Sequence, residues 1–432
     1  MSILEIYSIY LQYPQICIDT RKITQGCLFF ALKGENFNAN TFATQALEKG
    51  AAYVVIDNPE FKKSEQYILV DDALIALQEV AKHHREQLKI PFIGLTGSNG
   101  KTTTKELINA VLSQKFKTSA TKGNLNNHIG VPLTILEIGV DIEIAIIEMG
   151  ANHQKEIEIL SGLCQPNYGL ITNVGKAHLE GFGGFEGVKK GKGELYDFLA
   201  NHSGTVFINK DNPNLMEMAL TRNFKEVIGY GTSSSCDVSG ELISNNLFLE
   251  VKWTSNHESH QVSSQLTGTY NFENILVAVA IGLRFGLSPK EINIGINNYA
   301  PQNNRSQIIK TANNTVIGDY YNANPSSMAV ALENVATLKA DKKVVILGDM
   351  FELGDESDKE HQVIIDKAMG YDFDDVIFIG EMFAQLKSSA KAKFFINREE
   401  AIEELKKNKI QNSLILLKGS RGMKLEGLME LL

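Results

Sequence analysis

Residues 90–112 read IPFIGLTGSNGKTTTKELINAVL, an apolar strand followed at once by a glycine-containing turn and a helix. This order predicts a phosphate-binding loop, because glycines let backbone N–H groups turn towards phosphate oxygens at the positive end of the helix dipole. Lys101 is predicted to reach the β and γ phosphates of ATP, and Thr102 to ligate magnesium. The predicted ATP-contacting residues of this stretch are Gly97, Ser98, Asn99, Gly100, Lys101, Thr102 and Thr103.

The loop departs from the strict G-x-x-x-x-G-K-[ST] pattern, because Leu95 occupies the place of the first glycine. A glycine-rich turn with a surface lysine is therefore the alternative interpretation. The strand before the loop and the helix after it favour phosphate binding, since this context aims N–H groups at an anion.

The composition predicts an ordinary globular protein of several domains. The chain has 432 residues, 43% of them hydrophobic and 22% charged, a length for which we expect three domains. A formal net charge of -9 argues against nucleic acid or anionic lipid as a partner. The four cysteines form no C-x-x-C pair, and neither a secretion signal nor a membrane span is evident, so we expect a cytoplasmic protein.

Apolar runs alternate with helical patterns along the chain and predict an α/β fold. Residues 1–89 predict a small α/β domain. Residues 90–300 carry buried-looking strands such as IEIAIIE and YGLITN between helices, which predicts a central P-loop mononucleotide-binding α/β domain with a mostly parallel sheet. In residues 301–432, strands such as KVVILGD alternate with helices and predict a Rossmann-like α/β domain.

Three residues are candidates for a magnesium site. Glu148 ends the strand IEIAIIE, where an open sheet presents ligands, and a carboxylate suits magnesium; a solvated strand-end glutamate is the alternative. His178 lies just beyond the strand YGLITN, and Lys192 lies near the predicted start of a helix. Taken alone, the histidine fits a hydrogen-bonded structural residue, and the lysine fits a solvated charge.

Several motifs together resemble the Mur ligases, which add amino acids to the peptidoglycan precursor. In the central region these are TGSNGKTT, EMGAN, NVGKAHLEGFG and KGKGEL. In the third region, GDYYNANPSSM, ILGDMFELGDES followed by His361, and LLKGSRGM are most similar to the members that add D-alanyl-D-alanine. The amino-terminal DTRKITQGCLFFALKGENFNANTF resembles the domain that holds the UDP end of the substrate, so the likeness covers nearly the whole chain.

The resemblance implies roles in catalysis and metal binding. It assigns Lys101 to the ATP phosphates, and Thr102, Glu148 and His178 to two magnesium ions. Lys192 matches a lysine that is carbamylated in the family. A carbamate suits this place because it is an anion with oxygen donors, whereas magnesium repels an ammonium group. The predicted catalytic residues are thus Lys101, Glu148, His178 and Lys192.

The resemblance implies further contacts with ATP. Asn271 and Asn274 fall where the family has a nucleotide-contacting H-N-x-x-N, with Tyr270 in place of the histidine; helix capping by Asn271 is the alternative. An arginine of the third domain could neutralise charge on the transferring phosphoryl group, and a surface charge is the alternative. The third-domain residues assigned to ATP are Arg305, Asp319, Asn322 and Asn324.

Two segments are assigned to the UDP-MurNAc-tripeptide substrate by resemblance. Thr20 and Arg21 lie in DTRK, and Asn126 and Asn127 lie in TKGNLNNHIGVPL. The stretch FNANTF stands where relatives often carry F-D-G-H-[DE]-F, and it departs from that motif at residues 38–40, which leaves the uridine contacts open.

The implied activity is that of an ATP-dependent amide ligase. The carboxylate of UDP-MurNAc-tripeptide is expected to attack ATP and form an acyl phosphate, which the amine of D-alanyl-D-alanine then attacks. Lys418, Ser420 and Arg421 are assigned to the dipeptide, with a structural strand-end loop as the alternative. We expect a monomer whose third domain closes over ATP. Another Mur-type ligase, a folylpolyglutamate synthase and a nucleotide-binding regulator without turnover are the alternative functions.

Overall fold

The amino-terminal part of the chain forms a small parallel sheet with helices. The computed structural model describes residues 1–302, 304–386 and 391–432. The sheet has the strand order β1-β2-β5-β6, and every neighbouring pair is parallel. The elements of this part are α1 (Ile3–Gln12), β1 (Ile16–Cys17), β2 (Leu28–Phe30), β3 (Lys33–Gly34), β4 (Phe37–Asn38), α2 (Ala43–Glu48), β5 (Tyr53–Ile56), β6 (Tyr67–Leu69) and α3 (Ala73–Gln87).

The central part is built on a nine-stranded sheet with the order β15-β14-β13-β12-β11-β10-β7-β9-β8. Its strands are β7 (Phe92–Thr96), β8 (Thr118–Ala120), β9 (Ile144–Glu148), β10 (Tyr168–Ile171), β11 (Thr205–Asn209), β12 (Glu226–Gly231), β13 (Val238–Asn246), β14 (Phe248–Ser255) and β15 (Glu258–Ser263). Pairing is parallel from β8 to β13 and antiparallel between the last three strands. Strands such as β9 are buried along their whole length, because helices cover both faces of this part of the sheet.

The helices of the central part bring two functional segments to the sheet edge. They are α4 (Lys101–Leu112), α5 (Gly130–Leu136), α6 (Glu156–Cys164), α7 (Leu179–Phe182), α8 (Phe185–Asn201), α9 (Pro213–Leu220), α10 (Asn271–Arg284) and α11 (Pro289–Asn298). Helix α4 starts directly after the loop that follows β7. Helix α10 packs against α4, so the two helix starts lie side by side.

The third part carries a six-stranded sheet with the order β16-β17-β21-β18-β19-β20. All neighbouring pairs are parallel except β16 with β17. Its elements are β16 (Gln307–Lys310), β17 (Thr315–Asp319), α12 (Pro325–Thr337), β18 (Lys343–Gly348), α13 (Ser357–Met369), β19 (Asp375–Ile379), α14 (Glu381–Gln385), β20 (Lys393–Phe395), α15 (Arg398–Lys407) and β21 (Leu414–Lys418).

The first and central parts share one hydrophobic core. Helix α3 packs on α5 and α6, and its residues Leu77 and Val80 belong to the same buried cluster as Val131 of α5. Arg85, at the end of α3, donates from Nε to Cys164 O at 2.7 Å and stacks on Phe92 at 3.8 Å. The buried guanidinium therefore ties α3 to the central sheet through polar and apolar contacts at once.

The predicted α/β fold with mostly parallel sheets is confirmed, and two expectations of detail need correction. The central sheet also has an antiparallel edge, formed by β13, β14 and β15. Lys192 lies in the middle of α8 and not near the start of a helix. Asn271 is already inside α10, and Tyr270 stands at the capping position without a side-chain cap. No helix within residues 1–302, 304–386 and 391–432 combines the length and the apolar character that crossing a membrane requires.

Candidate active site

The predicted phosphate loop lies between β7 and α4 and requires its glycines. Gly97 has φ +146°, and a Cβ there would come within 2.0 Å of Thr172 Oγ1. Gly100 has φ +78° directly before the first helical residue. Because left-handed backbone and such close approach exclude a side chain, glycine is needed at both positions. The loop can therefore pack directly on the segment that follows β10.

Asn173, a residue that the sequence had not singled out, holds the loop in place. Its backbone oxygen accepts from Ser98 N at 3.0 Å, and its side-chain Oδ1 accepts from Asn99 N at 2.9 Å. Thr172 Oγ1 donates to Asn99 O at 2.6 Å. The first N–H groups of α4 have no acceptor within the helix and are the donors left for an anion. The position of Asn173 at the end of a predicted strand was the available signal.

Lys101 folds back over this loop. Its Nζ donates to Gly97 O at 2.6 Å and to Ser98 O at 3.2 Å. Burial lowers the pKa of Lys101 to about 8; Glu148 acts in the opposite direction, and Arg305 lowers the pKa further. Because this ammonium group is surrounded by protein and its pKa is near neutral pH, binding of a polyphosphate should raise the pKa strongly.

We expect nucleotide affinity to fall as the pH rises through about 8. The free protein loses the Lys101 proton there, whereas a bound polyphosphate favours the ammonium form and raises its pKa. Binding above this pH should therefore take up a proton, with affinity falling by up to about tenfold per pH unit. Calorimetric titration with a non-hydrolysable ATP analogue, in buffers of different ionisation enthalpy, measures both effects. A Lys101→Met variant with the same pH profile would contradict the assignment.

Glu148 ends β9 and carries a carboxylate oxygen with no partner. The residue is only 1% exposed. Its Oε1 accepts from Thr102 Oγ1 at 3.2 Å and from Asn126 Nδ2 at 2.8 Å, while Oε2 is buried and makes no hydrogen bond with any described residue. A buried anionic oxygen without a donor is costly unless a cation supplies its partner. This oxygen and the adjacent Thr102 hydroxyl fit a hard divalent cation.

No protein cage completes such a cation site. Within residues 1–302, 304–386 and 391–432, no group of three or more histidine, cysteine, aspartate or glutamate side chains could hold a metal. Magnesium commonly keeps several water ligands and binds through one or two carboxylates together with substrate phosphates. The sparse donor set is therefore of the kind that magnesium uses beside a nucleotide.

His178 and Lys192 approach the site from the segment after β10. His178 stands immediately before α7 with φ +53°, and its Nδ1 contacts Oε2 of Glu352 in the third part of the chain. The hydrogen bond to His178 lowers the pKa of Glu352. Lys192 is 1% exposed, donates from Nζ to Ala151 O at 3.1 Å and lies 4.9 Å from the centre of the Phe182 ring. Burial, aided by Lys101, places the pKa of Lys192 well below its usual value.

A polar chain at the start of α10 reaches the phosphate loop. Thr104 Oγ1 donates to Asn274 Oδ1 at 2.9 Å, and Asn274 Nδ2 donates to Asn271 Oδ1 at 2.8 Å. Asn271 Nδ2 in turn donates to Thr267 O at 2.7 Å, so this side chain does not cap the helix. The hydroxyl of Tyr270 lies 2.7 Å from Ser306 Oγ and joins the central part to the third.

Residues of the third part of the chain also lie beside the phosphate loop. Asn324 Nδ2 donates to Asn99 Oδ1 at 2.8 Å, a direct bond to the phosphate loop. The Arg305 guanidinium lies 3.8 Å from the centre of the Tyr321 ring, and its buried Nε has no hydrogen-bond partner among the residues that the structure describes. Both parts of the chain thus contribute polar groups to a single region.

Lys418 is buried beside this region. Its Nζ donates to Asp319 Oδ2 at 2.6 Å and to Asn322 O at 3.3 Å. The paired charges keep the end of β17 and the end of β21 together, which is a structural role consistent with the alternative interpretation of this loop.

One cavity of about 1050 Å³ collects most of the predicted residues. The predicted residues on its wall are Ser98, Asn99, Gly100, Lys101, Thr103, Asn126, Asn127, Glu148, His178, Asn271, Asn274, Arg305, Asp319, Asn322, Asn324 and Lys418. Those not on its wall are Thr20, Arg21, Gly97, Thr102, Lys192, Ser420 and Arg421. Glu352 and Tyr321 also line it and were not assigned roles from the sequence.

The residues off the cavity wall have other surroundings. Arg21 is exposed and paired with Asp19 at 2.7 Å. Ser420 is buried, and its Oγ accepts from Phe351 N at 3.1 Å. Arg421 lies 5.2 Å from the centre of the Tyr321 ring. The proposed contacts of these residues with substrates stay predictions.

The departure from the F-D-G-H-[DE]-F motif has a structural counterpart. Asn40 is fully buried, and its amide exchanges hydrogen bonds with Asp57: Nδ2 donates to Oδ1 at 2.7 Å, and Asp57 N donates to Asn40 Oδ1 at 3.1 Å. Asn38 caps the following turn by accepting from Asn40 N at 3.0 Å, and Ala39 is buried. These three residues are occupied in holding their own loop.

Comparison with known proteins identifies the family. Residues 12–91 match the family described as Mur ligase family, catalytic domain; residues 95–282 match Mur ligase middle domain; and residues 304–421 match Mur ligase, glutamate ligase domain. The UDP-N-acetylmuramoyl-tripeptide--D-alanyl-D-alanine ligase of Bacillus subtilis is 36% identical over 96% of this chain and 93% of that protein. The chain belongs to the Mur ligase family. The resemblance predicted from the motifs is confirmed.

Further similar proteins and solved structures support its membership of the Mur ligase family. The ligase of the same name from Escherichia coli is 34% identical over 95% of this chain and 92% of its own length. The crystal structure of MurF from Acinetobacter baumannii superposes with a TM-score of 0.87 at 32% identity, covering 96% of this chain and 92% of that one. MurF from Thermotoga maritima, at 23% identity and a TM-score of 0.86, covers 96% of both chains and shows the shared fold.

Proposed function

We propose that this Mur ligase joins D-alanyl-D-alanine to UDP-N-acetylmuramoyl-tripeptide at the expense of ATP, a step of peptidoglycan precursor synthesis. The observation that carries the proposal is the single cavity in which the phosphate loop of the central part faces Arg305 and Asp319 of the third part. The full-length similarity to ligases of that name supplies the substrates.

The proposed reaction has two steps. A carboxylate oxygen of the tripeptide attacks the γ-phosphorus of ATP, the bond to the bridging oxygen breaks, and ADP leaves an acyl phosphate behind. The free amine of the dipeptide then attacks the acyl carbon, and the tetrahedral intermediate collapses to the amide with loss of phosphate and a proton. Lys101, the start of α4 and Arg305 offset the negative charge that gathers around the transferring group.

Magnesium fits the donors available, and the proposed ligands are Thr102, Glu148, His178 and a carbamylated Lys192, with two ions expected. The unpartnered buried Oε2 of Glu148 supports this assignment. When bound, magnesium would neutralise phosphate charge and polarise the phosphoryl group. The chain's own part is to hold its donors in place: Asn126 fixes one oxygen of Glu148 at 2.8 Å, and Thr121 Oγ1 accepts from Glu148 N at 2.9 Å.

Carbamylation of Lys192 requires a neutral amine, because only the free lone pair attacks carbon dioxide. The burial that lowers the pKa of Lys192 favours that form. Lys192→Ala should therefore lose most activity and recover part of it with millimolar acetate or formate, whose carboxylate replaces the carbamate. Lys189→Ala on the same helix, where the lysine pairs with Glu217 at 2.7 Å, is the matched control. Full activity of Lys192→Ala without added carboxylate would rule out the role.

Substrate assignments are proposed in two groups. Thr20, Arg21, Asn126 and Asn127 are assigned to the UDP-MurNAc-tripeptide site, and Lys418, Ser420 and Arg421 are assigned to the D-Ala-D-Ala site. Arg421 is the exposed member of the second group, whereas Lys418 and Ser420 are buried. Arg421 is therefore the residue we expect to meet the dipeptide carboxylate, and Lys418 acts by holding Asp319.

We further propose domains at residues 1–89, 90–300 and 301–432, closure of the third domain over ATP, a monomeric state and a cytoplasmic location. The three largest sheets fall one into each range, and the two-stranded β3-β4 sheet lies in the first range. Small-angle scattering with and without ATP analogue and both substrates tests closure, and an unchanged envelope would count against it.

Product analysis tests the function itself. Purified protein is incubated with ATP, magnesium, UDP-MurNAc-tripeptide and either D-Ala-D-Ala or single amino acids, and the products are weighed by mass spectrometry. We expect an adduct with the dipeptide alone. A single-amino-acid adduct would indicate another Mur-type ligase. Phosphate release that ignores the acceptor, with no adduct, would contradict ligation.

A further inference from the structure

The contact between His178 and Glu352 joins two parts of the chain inside the cavity. His178 follows β10 of the central sheet, whereas Glu352 follows β18 of the third sheet. The imidazole Nδ1 of His178 is buried, lies against Oε2 of Glu352 and has no other hydrogen-bond partner among the described residues; both residues line the cavity. The proposed mechanism gives Glu352 no role, although Glu352 lies against His178, which the mechanism assigns to magnesium.

Both residues adopt backbone conformations that side chains other than glycine rarely take. His178 has φ +53° and Glu352 has φ +63°. Left-handed backbone at a non-glycine residue persists only where the surroundings hold it, and such residues cluster at functional sites. The two strained residues contact each other, which points to a functional role for this pair of side chains.

Neighbouring contacts fix the histidine segment to the third part of the chain. Lys176 N donates to Ser326 Oγ at 3.0 Å, and Lys176 Nζ pairs at 2.5 Å with Glu360, whose side chain is 2% exposed. The short helix α7 after His178 also packs on the turn that contains Gly354. The segment around His178 is thus positioned by residues that belong to the third sheet and its helices.

We propose that Glu352 is a positioning residue for His178: it accepts the Nδ1 proton, fixes the ring tautomer and leaves Nε2 as the donor atom. A ligand histidine in metal sites usually donates its other ring N–H to a carboxylate or carbonyl in this way. Because Glu352 belongs to the third part of the chain, it orients the histidine only while that part is packed against the central part. The inference rests on the proposed function, which makes His178 a magnesium ligand.

Nuclear magnetic resonance of the protein bound to a non-hydrolysable ATP analogue without magnesium, in which the third part is closed, tests the tautomer without relying on activity. Wild type, Glu352→Ala, Glu352→Gln and the control Glu356→Gln are prepared with ¹⁵N-labelled histidine, and His178→Gln assigns the signal. Glu356 lies on the same loop, is exposed and pairs with Lys359 at 2.7 Å. We expect the Nδ1–H tautomer in wild type and control, and a tautomer mixture in Glu352→Ala. Glu352→Gln should stay close to wild type, because its amide oxygen still accepts.

Kinetics supply the second measurement. Glu352→Ala should lower kcat by about 10- to 100-fold with the KM for the dipeptide little changed, and Glu352→Gln should recover much of the rate. An unchanged tautomer in Glu352→Ala would overturn the proposal, as would a selective rise in the dipeptide KM, which would make Glu352 a binder of the acceptor ammonium. A tautomer change equally large in Glu356→Gln would overturn it too. Failure of the wild type to ligate, with the tautomer result intact, would instead contradict the proposed function.

Discussion

Replacement of Lys101 by methionine is expected to lower the ligation rate by roughly 10²- to 10³-fold. Methionine keeps most of the aliphatic volume but removes the ammonium group that lies over the phosphate loop. The charge that gathers on three anionic groups in the transition state then lacks its nearest fixed cation. Steady-state release of phosphate and mass analysis of the ligated product both measure the loss.

The control for this variant is Lys117→Met, which removes an exposed lysine of the same domain that is 3.7 Å from Asp141. Such surface pairs contribute little to stability, so this variant should behave like wild type. Thermal unfolding of Lys101→Met should also match wild type. The variant loses two hydrogen bonds of the ammonium group, but it also loses the cost of burying that charge. A variant that folds normally and ligates at the wild-type rate would remove Lys101 from the mechanism.

Replacement of Glu148 by glutamine is the second change with a large expected effect. Glutamine retains the shape and an acceptor for Thr102 and Asn126 but removes the negative charge at the unpartnered oxygen. We expect kcat to fall by about 100-fold or more and the magnesium concentration for half-maximal rate to rise. A titration of the rate with magnesium at saturating ATP measures both quantities.

The same variant should not lose stability. Removing a buried charge whose Oε2 has no donor among the described residues relieves a desolvation cost, so the melting temperature of the ligand-free Glu148→Gln protein should equal or exceed that of wild type. Glu137→Gln, which breaks an exposed pair with Lys122 at 2.8 Å, is the matched control and should change neither quantity appreciably. A large fall in melting temperature would indicate that Glu148 is structural, as the alternative interpretation holds.

Local sequence was sufficient for the phosphate loop because its parts are adjacent. The strand β7, the glycine turn and α4 follow one another within residues 92–112, and each is specified by its own residues. The same holds for Glu148 at the end of β9. Hydrophobic runs of strand length placed these elements correctly, since a parallel strand buried on both faces must be apolar throughout.

The sequence predicts the position of an element less well where that position depends on tertiary packing. The sequence predicts a helix start near Lys192. The structure places Gly191 against Phe182 and Gly193 near Met218 and Arg222, so these glycines serve close packing within α8. The antiparallel strands β13 to β15 were missed because their polar, alternating residues give a weaker signal than buried strands do.

The sequence by itself determined the α/β class, the phosphate loop and the family, because short motifs and apolar periodicity are local properties of the chain. Only the tertiary structure decided that Asn173 holds the loop, that Asn324 bonds it from the third sheet, and that Glu352 meets His178. These contacts join residues far apart in the chain. The Asn173 contact follows from the pairing of β10 with β7, and the other two follow from how the central and third parts pack against each other. No local pattern specifies either arrangement.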